Sequence, residues 1–109
     1  MIVNLMGFGV IKMKNDKTYK VNEVKDHIVK GLRNSCIVLI STTNCNVYRL
    51  ARLFESFIYP LLLVFHYDDE LRKFLMNFRD ELMNRFVYIN DITVDTFENI
   101  FDQVVDDVM

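Results

Sequence analysis

Residues 56–69 read SFIYPLLLVFHYDD, and the way Pro60 is taken decides the architecture. Proline has no backbone N–H, and its ring crowds the carbonyl four residues back, so it commonly ends a helix. On that reading a helix carrying Val47, Leu50, Ala51, Phe54, Phe57 and Ile58 at helical spacing stops at Pro60, with Asn44 or Asn46 as its cap. The five apolar residues 61–65 then form a short strand buried on both faces. His66, Tyr67, Asp68 and Asp69 close it.

The same logic extends in both directions. Residues 36–40, CIVLI, are a second short apolar run, stopped by the polar cluster Ser41, Thr42, Thr43 and Asn44. A helix capped by Asn22 and running to about Arg33 precedes it, with Val24, Ile28 and Leu32 on one stripe. Downstream, Leu71, Phe74, Leu75, Phe78, Leu82 and Phe86 make one apolar face of a helix that Asp68 or Asp69 caps. Residues 86–89 read as a third strand. A last helix, capped by Thr93 or Asp95, carries Phe97, Ile100, Phe101, Val104, Val105 and Val108. At the start, residues 2–6 and 8–14 are strand-like and broken by Gly7 and Gly9, with a turn pair at Asn15 and Asp16 and a return over 18–21. Strands alternating with helices predict an α/β fold: a small, largely parallel central sheet with about four helices and an N-terminal β-hairpin. Without repeats or linkers, residues 1–109 read as a single domain.

Composition bounds the rest. Of 109 residues, 51% are apolar and 13% aromatic, enough for a packed core and too many for a disordered segment. Such an apolar fraction on a small body predicts a homo-oligomer, a dimer first, or another protein partner. Three glycines, one proline and one alanine beside abundant Phe, Tyr, Asn and Lys fit an AT-rich genome, as in a virus or mobile element. No segment has the form of a leader or a membrane span, so a cytoplasmic protein is expected. Cys36 and Cys45, nine positions apart, suggest neither a disulfide framework nor a zinc pair. Charge is uneven: residues 1–33 sum to +4, residues 34–85 to zero, and residues 86–109 to −6.

A parallel sheet would place ligands beyond the carboxyl ends of its strands. Those ends are residues 41–46, 66–69 and 90–93, and the residues singled out for binding a nucleotide or small anion are Ser41, Thr42, Thr43, Asn44, His66 and Asp68. The same side chains cap helices whether or not anything binds. Residues 61–69 are similar in shape to a Walker B strand, as in RecA-like ATPases, but no GxxxxGK[ST] accompanies them. Cys45 at a helix N-terminus invites thiolate chemistry, yet the Cys-x5-Arg offset falls on Ala51. His66, Asp68, Asp69 and Asp91 lack a recognised metal-ligand spacing. No metal, cofactor or enzymatic reaction is therefore expected.

Binding functions remain. Lys12, Lys14, Lys17 and Lys20, with Tyr19 among them, could follow a phosphate backbone, although lysines also protect a strand edge from pairing. The acidic chain, with a pI near 5.6, argues against nucleic acid as the main partner. The acidic last helix reads as a solvated face, or one that meets basic residues of the same or a second copy. The expectation is a small interaction or regulatory module, homodimeric and without a reaction of its own. Nucleotide or small-anion binding at the strand-end rim, with or without a reaction there, and nucleic-acid binding at the hairpin are the alternatives.

Overall fold

A computed structural model describes residues 20–109 in full and, before them, the backbone of Ile2–Asn4 and Val10–Lys12. Among the described residues the chain is built from four helices: α1 (Val21–Thr42), α2 (Val47–Val64), α3 (Asp69–Phe86) and α4 (Val94–Val108). The expected α/β fold is overturned, because every segment read as a parallel strand is helical or a turn. The only described strand pairing is antiparallel, Ile2–Asn4 (β1) with Val10–Lys12 (β2), Val3 standing opposite Ile11. The turn expected at Asn15 and Asp16 lies outside the described residues. Val21, expected at the end of a returning strand, opens α1.

Residues 36–40 are helical because the stripe of α1 does not stop at Leu32. Cys36 and Ile40 continue Val24, Ile28 and Leu32 at intervals of four, and all five are buried. A β-branched run looks alike in either conformation, and the neighbouring spacing decides. The cap position of α1 is Lys20, which makes no side-chain cap, rather than Asn22, and the helix runs to Thr42 instead of Arg33.

Pro60 lies inside α2 and does not end it. Buried Phe54, Ile58, Leu61 and Phe65 run past it on one side, so tertiary packing holds the helical course. On the other side Ser56, Tyr59 and Pro60 are exposed, where water can serve the carbonyl that the proline leaves without a donor. In the same way residues 86–89 are no strand. Phe86 is the last residue of α3, Val87 follows in helical conformation, and the Ile89 N–H donates to the Phe86 carbonyl.

Three helix starts carry the side-chain caps that their sequences suggest. Asn46 accepts from the Arg49 N–H at 3.0 Å, Asp68 from Leu71 at 3.1 Å, and Thr93 from Thr96 at 3.2 Å. α1 packs against the other three helices and α3 does likewise, whereas α2 and α4 do not meet. The α1–α3 diagonal is therefore closed, with α2 and α4 on either side of it. Phenylalanines thread this arrangement. Phe54 of α2 meets Phe86 of α3, Phe86 stacks on Phe97 of α4, and Phe97 leads through Phe101 and Phe78 to Phe74. Lys25 of α1 lies 5.2 Å from the Phe74 ring centre and completes the circuit. Gly31 lets α1 approach α2 closely: a Cβ there would stand 3.0 Å from the Phe57 ring.

Candidate functional surface

Loss of the sheet removes the strand-end rim, and its residues fall at two separate places. Ser41 and Thr42 form the last turn of α1, Thr43 ends it, and Asn44 begins the connection to α2. The Thr42 and Thr43 hydroxyls both donate back to the Leu39 or Val38 carbonyls, which occupies them in finishing the helix. His66 and Asp68 lie in the α2–α3 connection. α2 separates the two groups, and its eighteen residues span about 27 Å at helical rise. Asp68 is buried and caps α3, while exposed His66 meets the edge of Tyr67. The six residues do not form one site.

What does converge is the α1–α2 connection and the α3–α4 connection. Ile40, Thr43, Asn44, Cys45, Asp91, Ile92, Thr93 and Val94 surround a cavity of about 570 Å³. The N-terminus of α4 opens toward it, but the Asp91 carboxylate also lines it and works against an anion. Cys45 is buried there, its thiol donating to the Asn46 carbonyl. Burial raises its pKa despite the opposing charge of Arg49, which disfavours the thiolate at this helix N-terminus. Cys36 is raised further, first by desolvation and then by the nearby Cys45. Both cysteines are free. Among the described residues no three His, Cys, Asp or Glu side chains gather as metal ligands. Asp69, once grouped with His66 and Asp68, instead pairs with Arg72 at 2.7 Å.

Of the residues singled out at the N-terminus for nucleic acid, Lys14, Lys17 and Tyr19 lie outside the described residues. Lys12 is described by its backbone alone, as the end of β2. Lys20 is exposed beside Glu23 at 3.9 Å. Three of the five acids of α4 are met from within the molecule: Arg33 of α1 reaches Glu98 at 2.7 Å and Asp102 at 3.0 Å, and Arg85 of α3 pairs with Asp107. The Asp102 hydrogen bond is the main cause of a raised Arg33 pKa.

A feature that sequence reading missed is the outer flank of α2 and α3. Tyr59 is 58% exposed, Leu63 63% and Tyr67 92%, spaced four residues apart along and just beyond α2. Arg79 of α3 lies 3.8 Å from Glu55 of α2 and marks the register of the two helices. One turn from that pair toward the α2–α3 connection stand Tyr59 on one helix and exposed Met76 on the other. Leu62 and Leu63 follow on α2. The signal was in plain view, for α2 carries apolar residues on all sides after Ser56, but taking residues 61–65 for a buried strand assigned Leu63 to the core. Among the described residues no helix is long and apolar enough to cross a membrane. No family model, curated protein or solved structure matches the chain.

Proposed function

We propose that this chain is a small helical interaction module that docks on protein through the α2–α3 flank and performs no reaction of its own. One observation carries the reading: Tyr59 and Leu63 of α2, Tyr67 in the turn that follows and Met76 of α3 are large apolar side chains exposed to water on one flank. Singly scattered exposed apolar residues need no explanation, whereas several of them on neighbouring elements of one flank favour a docking surface. Tyrosine and methionine suit the role, since both are over-represented at protein contacts.

The test places a photo-activatable phenylalanine analogue at position 63 and, as a control, at exposed Gln103 on α4. Irradiation of cells expressing each form should give a discrete protein adduct from position 63 and none from position 103. Equal, diffuse labelling from both positions would end the proposal.

A further inference from the structure

Apart from that flank, we infer that the groove between α1 and the first half of α2 takes an acidic peptide segment with apolar residues, carried by a partner protein. Charge is the first observation. Of the six arginines, four are held by acids within 4 Å: Arg33 by Glu98 and Asp102, Arg72 by Asp69, Arg79 by Glu55 and Asp80, and Arg85 by Asp107. Arg49 and Arg52 are exposed, and no described residue pairs with either. They stand three residues apart on α2, about 4.5 Å along its axis, so both can reach one carboxylate or two neighbouring ones.

Shape is the second. Arg49 and Arg52 line a surface groove of about 350 Å³ together with half-buried Leu39 of α1 and Leu53 of α2. A guanidinium in water selects nothing by itself, but two of them sharing a groove with two leucines do. A free inorganic anion would use the cations and leave the leucines wet. A nucleic acid would find only these two cations, with Glu55 one turn on, where it needs a broader basic stripe. A peptide whose carboxylates meet the arginine forks while its apolar side chains cover Leu39 and Leu53 uses both. The chain's own ends do not supply that segment. α4 carries five acids but does not meet α2. Residues 1–19 hold three lysines against one aspartate and bring the wrong sign.

The test titrates the isotope-labelled full chain with a short synthetic peptide and follows amide chemical shifts. The peptide carries two glutamates one helical turn apart with leucines between them, and is added to about 1 mM. Saturable shifts are expected at Leu39, Arg49, Arg52 and Leu53, with Leu63 and Tyr67 unmoved. Glutamine in place of both glutamates should weaken binding more than tenfold, and so should the double variant Arg49→Glu with Arg52→Glu. That variant should bind the lysine version of the peptide instead. Both arginines are exposed, so its helical content and melting should match those of the parent. No saturation by the glutamate peptide overturns the proposal, as does equal binding of the glutamine form, or a lysine peptide that the double variant ignores. Shifts at the same amides with inorganic phosphate or a short RNA, and none with the peptide, overturn it as well. None of these outcomes bears on capture at position 63, so the two surfaces stand or fall separately.

Discussion

Phe54 and Leu63 belong to one helix and have opposite fates. Phe54 joins a run of phenylalanines through α2, α3 and α4 and is fully buried, whereas Leu63 stands in water beside Tyr59. The inner face of α2 follows the four-helix core: Leu50, Phe54, Ile58 and Leu61 repeat at three and four, and Phe65 continues the series. The outer face follows no demand of this fold, since α4 never meets α2 and no described element covers that side. An amphipathic helix needs only one apolar stripe. The difference separates residues that make the bundle from residues that the bundle displays.

The comparison is broken most directly at the core. Phe78 is fully buried, stacks on Phe74 at 5.5 Å and meets the edge of Phe101 at 5.5 Å. Phe78→Ala should cost about 3 to 5 kcal/mol, the range for deleting a buried aromatic ring and leaving a cavity. That is a large part of the stability of a domain this size, so the variant should unfold at much lower urea. A loss under about 1 kcal/mol would mean the rings are not the framework.

Pro60 lies on the displayed side and gives the next effect. A proline inside a helix costs about 3 kcal/mol relative to alanine. It also restricts the unfolded chain, a benefit of about 0.4 to 1 kcal/mol that alanine gives up. The helix term is larger, so Pro60→Ala should stabilise the protein by about 2 kcal/mol in urea titration. Destabilisation would show that the ring packs against something the bundle needs, and would move Pro60 from the displayed set to the structural one.

Both surprises come from the same ambiguity. Five consecutive apolar residues are a buried strand or a helix in an apolar setting, and local pattern does not separate them. What separates them here is phase. Cys36 and Ile40 keep step with Val24, Ile28 and Leu32, while Leu61 and Phe65 keep step with Phe54 and Ile58, all fully or nearly buried. Ending one helix near Arg33, ahead of the apolar run, and the other at Pro60 cut each stripe before its period could be followed. α4 was legible because its run from Phe97 to Val108 has no breaker, and the caps at Asn46, Asp68 and Thr93 were legible, each as one of two candidates, because capping is local, whereas Asn22, which also reads as a cap, is not one. The α2–α3 flank was not legible, since it depends on knowing which side of α2 is covered.

Cys36 offers a smaller probe of the buried side. Desolvation raises its pKa in the folded state, so the native protein holds the proton at pH values where the unfolded chain releases it. Its contribution is complete below about pH 8.5, the ordinary thiol value, and is lost as pH rises toward the folded value. Cys45 is raised as well and acts in the same direction. Stability should therefore fall above pH 8.5 by up to about 1.4 kcal/mol per unit for Cys36, and Cys36→Ala should show a shallower decline. Lysines and tyrosines also titrate there, so the difference between the two slopes is the quantity to read. Equal slopes would place Cys36 in contact with water.

The smallest effect is the most discriminating. Leu63→Glu puts a charge where the side chain is 63% exposed, so no buried carboxylate and no cavity result. Surface changes of that kind stay within about 0.5 kcal/mol, and glutamate is nearly as good a helix former as leucine. The protein should therefore melt unchanged at low micromolar concentration, while its apolar flank loses the residue at its centre. A drop of several degrees at such concentrations would mean that Leu63 is packed in solution, against residues 1–19 or another part of the same chain. An unchanged melt would place Leu63 outside the framework, among the residues that the bundle displays.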